Sequence, residues 1–308
     1  MTRPTRGSEA GRAYLDLQNR ARSEQRGTQE LMTLYVVERW LARLSTSPHA
    51  DKFIIKGGML LAAYDARRPT ADLDALARAV ASDQDTIVAL VSEISQLQLD
   101  DGVEYHCQTA TARIIRDQAI YSGVRITMDC AIATAIVKFR IDVNFGDPIT
   151  PGPQLVELPS LRPGIGPVRV LGYPLETVLA EKIATAIALG PANTRVRDYA
   201  DIYMLTGRHH IVYVTARNAL IATATYRGTP VRPLSDAVGN LVDLRGPTFD
   251  AFRASLGATG LLLPDSLQKV VYAVVAFADA PAEDGKYVMW RPTERQWTAG
   301  TRSAELLD

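Results

Sequence analysis

Phe53-Ile54-Ile55-Lys56-Gly57-Gly58-Met59-Leu60, followed after a short gap by Arg67-Arg68-Pro69-Thr70-Ala71-Asp72-Leu73-Asp74, is the stretch from which the fold reads outward. The apolar run Phe53–Ile55 predicts a strand. Gly57-Gly58 predicts a turn whose backbone can approach a bulky anion, and Met59–Tyr64 a short helix that starts there. Asp72-Leu73-Asp74 alternates as a second strand, so both carboxylates leave one face and Leu73 enters the core. Adjacent carboxylates repel unless a cation lies between them, and oxygen donors suit Mg²⁺ or Mn²⁺. A phosphate cradle, a carboxylate pair and nearby guanidinium groups are what metal-assisted nucleotide transfer requires.

The surrounding chain sets the limits. Its 308 residues can bury a sizeable core, and 47% hydrophobic with 22% charged residues is an ordinary globular balance. Formal net charge is zero, which excludes a globally basic nucleic-acid binder but not a local patch. Cys107 and Cys130 lack metal-ligand spacing and fit a reducing cytoplasm, and no apolar run approaches a membrane span. The arginine-bearing N-terminus has no apolar segment behind it, so no secretory signal is expected.

Upstream, Tyr14–Leu17 and Leu31–Leu44 predict two helices broken near Gly27-Thr28, where Thr28 and Glu30 offer capping chemistry. Downstream, Ser82–Leu99 predicts an amphipathic helix. Val103–Gln108, Thr111–Asp117, Val124–Ile132 and Ile136–Asn144 then predict strands of a mixed or antiparallel sheet. In Arg140-Ile141-Asp142-Val143-Asn144 the apolar residues face the core. Asp142 therefore points to the side where Asp72 and Asp74 could lie, or simply to water. Residues 148–173, rich in proline and glycine with a strand candidate at Val168–Leu171, are the candidate domain boundary.

Pro174 to Gly190 is the clearest helix, opened by proline and closed by glycine. Lys182 falls inside its apolar stripe and Glu181 outside. A lysine facing the body of the protein needs an anion, a nucleotide phosphate or a nearby aspartate, or else snorkels to solvent. Asn193-Thr194-Arg195-Val196-Arg197-Asp198 follows, with Asp201 on the same face as Asp198. These acids serve a site or stabilise a helix N-terminus.

Lys56-Gly57-Gly58-Met59-Leu60-Leu61, Arg68-Pro69-Thr70-Ala71-Asp72-Leu73-Asp74, Glu181-Lys182 and Arg195-Val196-Arg197-Asp198-Tyr199-Ala200-Asp201 together resemble, in order and spacing, the motifs of the AbiEii/AbiGii nucleotidyl transferase toxins, type IV toxin–antitoxin components that include the mycobacterial MenT-type tRNA nucleotidyltransferases. Arg197 stands where lysine is common, and Ile202 where leucine is. The resemblance runs with gaps from about residue 30 to 205, while residues 206–308 add only apolar helical pattern. It implies an α/β (α+β) polymerase-β-like domain with a mixed sheet: a helical segment at 1–50, the nucleotidyltransferase core at 51–172, and a helical domain at 173–308 carrying part of the active site.

It also implies roles. Asp72, Asp74 and Asp142 bind metal, with Asp142 alternatively the base for the acceptor hydroxyl. Lys56, Gly57, Gly58, Arg68, Thr70 and Arg197 bind the nucleoside triphosphate. Lys182 and Asp198 act in catalysis with Asp72 and Asp74, and Asp201 and Glu181 stand close by. A phosphate on Thr70 would set negative charge beside the metal site and block it. The implied reaction moves a nucleoside monophosphate to an acceptor hydroxyl, the tRNA 3′ end in studied relatives, under control of a cognate antitoxin. Transfer to a protein or small molecule, or nucleotide binding without catalysis, are the alternatives.

Overall fold

The computed structural model describes residues 4–66, 70, 72–117, 121–280 and 288–299. Two compact units divide the chain. The first comprises the described residues of Met1–Ala63, Arg67–Asp147 and Pro153–Tyr173. Its elements are α1 (Glu9–Ser23), α2 (Thr28–Thr46), β1 (Phe53–Lys56), α3 (Gly57–Leu60), β2 (Leu73–Ala77), α4 (Gln84–Gln96), β3 (Val103–Asp117), β4 (Tyr121–Ile132), β5 (Ala135–Phe145), β6 (Gln154–Leu158) and β7 (Val168–Gly172). A 3₁₀ turn, Leu61–Tyr64, continues α3.

Among the described residues seven strands form one mixed sheet in the order β3-β4-β5-β2-β1-β7-β6. The β2–β5 and β1–β7 pairs are parallel and the others antiparallel. The helix α2 supplies much of the core on one face. Its Trp40 meets Phe53 edge-on and Phe139 at a tilt, with ring centroids 5.8 and 5.6 Å away. Its buried charges are paired, Arg39 with Glu38 at 2.6 Å, although the Arg39 Nε has no hydrogen-bond partner among the described residues. Arg43 pairs with Asp101 at 2.6 Å, and Glu38 accepts from the Leu161 N–H at 2.7 Å and the Ser160 hydroxyl at 3.1 Å. The expected cap at Thr28 and Glu30 is absent: Gly27 opens α2 without a side-chain bond, and Glu30 pairs with Arg26 instead.

Two expectations about strands change. Val103–Gln108 and Thr111–Asp117 are one strand, and the break in alternation between them is a register shift at His106–Thr111. The extra residues bulge rather than turn the chain. The proline-rich connection holds two strands, β6 and β7, and β7 runs parallel to β1 through Ile55 and Gly172. Gly172 packs closely there, and a Cβ would have to displace the methyl groups of Leu60 and Val156.

The second unit comprises Tyr64–Ala66, Pro148–Gly152 and the described residues of Pro174–Asp308. It contains α5 (Leu175–Leu189), α6 (Val196–Thr206), β8 (Ile211–Val212), α7 (Tyr213–Tyr226), α8 (Leu234–Val238), α9 (Leu241–Ser255), α10 (Leu267–Ala278), β9 (Val288–Arg291) and β10 (Gln296–Ala299). The weak periodicity beyond Pro281 conceals β9 and β10, which join β8 in a small antiparallel sheet. Aromatic packing holds it: Phe277 lies 5.0 Å from Trp290 and 5.2 Å from Trp297, and the Trp290 indole donates to the Thr206 carbonyl at 2.6 Å. No helix among the described residues is long and apolar enough to cross a membrane.

Candidate active site

In the first unit the site is a product of strand register. Asp74 on β2 and Asp142 on β5 are Cα partners in a parallel pair, so both carboxylates stand side by side on the same face. The cross-strand row extends both ways. Lys56 on β1 lies opposite Asp74, Arg125 on β4 opposite Asp142, and Arg113 on β3 opposite Arg125. Gly57, at φ +67°, turns the chain at the end of β1, and a side chain there would collide with the Asp74 carboxylate. Glycine is needed both for the backbone angle and for that approach. Gly58 follows, buried, in the single turn of α3.

Guanidinium groups are built into this cluster. The Nε of Arg125 donates to one Asp142 oxygen at 2.6 Å and its Nη2 to the other, a two-pronged bond. Arg140 pairs with Asp72 at 2.9 Å. The Asp142 bond raises the Arg125 pKa further above its usual value, and the charges of Asp72 and Asp74 add to the effect. Lys56, expected at phosphate, pairs with Asp147 at 2.8 Å and lies 5.1 Å from the centre of the Tyr173 ring. The Thr70 hydroxyl donates to the Asp72 carbonyl at 3.3 Å. Arg68 lies outside the described residues.

The donor set fits a hard divalent cation in one way. Asp74 and Asp142 offer neighbouring carboxylate oxygens, and magnesium needs only one or two protein carboxylates when phosphates complete its shell. Among the described residues no three carboxylate, imidazole or thiol groups converge as a metal cage. Of the expected ligands, Asp72 is engaged by Arg140 through one oxygen, and Asp142, expected third, by Arg125 through both.

In the second unit Lys182 on α5 reaches Asp198 at 2.7 Å and Asp201 at 2.8 Å on α6. The three side chains are only 5–13% exposed. The anion demanded by a lysine on an apolar stripe is therefore this aspartate pair. Burial pushes the Lys182 pKa down, but Asp201 and Asp198 outweigh it and the net direction is up. Burial likewise pushes Asp198 up, and Lys182, helped by Arg195 and Arg197, brings it below its ordinary value. Arg197 itself is exposed. Glu181 pairs with Arg227 at 2.9 Å.

Three residues of the first-unit cluster were not singled out from the sequence: Arg125, Arg140 and Asp147. The alternation Val124-Arg125-Ile126-Thr127-Met128 marks Arg125 as polar-facing, but nothing local says that Asp142 lies opposite it.

A family model described as nucleotidyl transferase AbiEii toxin, type IV toxin–antitoxin system, matches residues 39–271. Among solved structures, MenT4, a nucleotidyltransferase toxin of Mycobacterium tuberculosis H37Rv, is similar at 16% identity with a TM-score of 0.50, covering 87% of this chain and 98% of that one. JHP933 of Helicobacter pylori is similar at 14% identity with a TM-score of 0.47, covering 82% of this chain and 91% of that one. None of the curated proteins matches.

Proposed function

The chain belongs to the AbiEii family of nucleotidyl transferase toxins, and from that premise we propose how its residues divide the work. It is a nucleotidyltransferase of the toxin class of type IV toxin–antitoxin systems, with a nucleoside triphosphate as substrate and an antitoxin as counterpart. The finer reading is a Mg²⁺-dependent transfer of a nucleoside monophosphate to the 3′ end of tRNA, which blocks translation.

The observation that carries this reading is the placement of Asp74 beside Asp142, with the Gly57 backbone against the Asp74 carboxylate. Asp74 and Asp142 hold the cation, with Asp72 adjoining them. Backbone N–H groups at Gly57-Gly58 receive phosphate oxygens. A bound divalent cation supplies charge neutralisation on the attacking and leaving oxygens. Arg197 and, from the segment outside the described residues, Arg68 bind phosphate. In the second unit this reading assigns catalysis to Lys182 and Asp198, which pair with each other, with Asp201 beside them. Asp142 alternatively takes the proton of the attacking hydroxyl.

The test is incorporation of each α-labelled NTP into total tRNA with Mg²⁺, comparing wild type with Asp74→Asn. Label in tRNA with wild type alone is the expected outcome, and it names the base. Label in a protein band instead keeps the chemistry but replaces the acceptor. Nucleotide binding with no label anywhere would overturn the catalytic reading.

A further inference from the structure

Asp142 is a carboxylate with two claims on it. Only 7% of the residue is exposed, and both of its oxygens are bonded to Arg125. The same residue is the Cα partner of Asp74, so a cation held by the pair lies next to the Arg125 guanidinium. Cations are interleaved with the carboxylates along this row: Arg125 holds Asp142, Arg140 holds Asp72, and Lys56 lies opposite Asp74. Both Asp142 oxygens are committed to Arg125, so a dication that uses Asp142 competes with that guanidinium. A triphosphate brings further negative charge and gives a guanidinium somewhere else to bond.

We propose that Arg125 is the internal counter-ion of the Asp74–Asp142 pair, weakening cation binding in the absence of nucleotide and moving its bonds to phosphate oxygens when cation and nucleotide arrive together. This rests on the function proposed above. The guanidinium makes cation and nucleotide mutually dependent ligands, so the protein takes up its divalent cation chiefly as the metal–nucleotide complex. Arg125 acts on the metal through Asp142 and on the nucleotide directly. Arg140 is less suited to the part, because its partner Asp72 is a third exposed and does not lie opposite Asp74.

Mn²⁺ binding to the full-length chain, read from the electron paramagnetic resonance signal of free Mn²⁺, tests this without any turnover. It is measured with and without a non-hydrolysable α,β-methylene nucleoside triphosphate. In wild type the analogue should tighten Mn²⁺ binding. In Arg125→Gln, Mn²⁺ should bind about five- to tenfold tighter without nucleotide, the scale of one partly buried charge pair, and the gain from the analogue should shrink. Arg125→Lys, which keeps the charge, should stay closer to wild type.

Asp74→Asn should lose the site, and Mn²⁺ uptake that survives this change would place the metal elsewhere and overturn the proposal. Mn²⁺ binding to Arg125→Gln that is unchanged or weaker, in a variant with wild-type circular dichroism, would also overturn it while leaving the transferase reading intact. If wild type binds no Mn²⁺ even with the analogue, the proposed metal-dependent function fails and the counter-ion role falls with it.

Discussion

On β2 and β5, Asp74 and Asp142 are neighbours because two strands pair in parallel. On α5 and α6, Asp198 and Asp201 are neighbours because a helix brings residues three apart onto one face. Each cluster is balanced by cations, but in different surroundings. The strand cluster is balanced by arginines that remain a fifth to two-fifths exposed, whereas the helix cluster closes around one lysine that is nearly buried. An open cluster can exchange its counter-ions for a ligand. A buried one cannot lose its cation without stranding charge in low dielectric. The first should therefore show itself mainly in binding and catalysis, and the second in stability as well.

The largest expected effect breaks the buried cluster. Lys182→Met leaves two carboxylates without their ammonium and should destabilise the second unit by about 3–5 kcal/mol, measured by urea denaturation. A loss under about 1 kcal/mol would show that water or rearrangement reaches this cluster, and would erase the contrast.

Asp74→Asn should cut nucleotidyl transfer by at least about 10²-fold while leaving the melting temperature close to wild type. A large fall in melting temperature would make Asp74 a structural residue like Asp198.

The pH dependence sharpens the contrast further. Asp198 has a folded pKa below its ordinary 3.8, so its contribution is present above that value and fades as pH falls through the lower folded one. Lys182 is shifted above 10.5, so its contribution is complete below that value and is lost only as pH rises through the higher folded one. Denaturation across the acid range should show stability falling in wild type and a flatter profile in Lys182→Met. Identical profiles would mean that the shift has another source.

The smallest effect is a control at the edge of the first sheet. Arg169 and Glu157 pair across β7 and β6 at 2.5 Å, but both are more than half exposed. Arg169→Ala should change stability by no more than about 0.5 kcal/mol, because solvent screens the pair.

Much of the site was legible because its signals are local. A glycine pair after an apolar run, Asp72 and Asp74 around one leucine, and a lysine on an apolar helix stripe can each be read from a short window of adjacent residues. The partner of Lys182 was legible only as a choice among anions. The strands that escaped notice are those whose evidence is distant. In the proline-rich stretch β7 was legible at Val168–Leu171, but β6, which joins the sheet only through β7, was not, and β9 and β10 are short and depend on Trp290 and Trp297 packing near Phe277.

By itself the sequence determined which faces are polar and which apolar, where the main helices begin and end, and which residue types stand at the motif positions. Those follow from periodicities of two and 3.6 residues and from the backbone limits of glycine and proline. Only the tertiary structure decided that Asp142 lies beside Asp74, that Arg125 binds it with both prongs, and that Lys182 is held by Asp198 and Asp201. Register between strands distant in the chain is set by the packing of the whole sheet, and no short window of sequence contains that information.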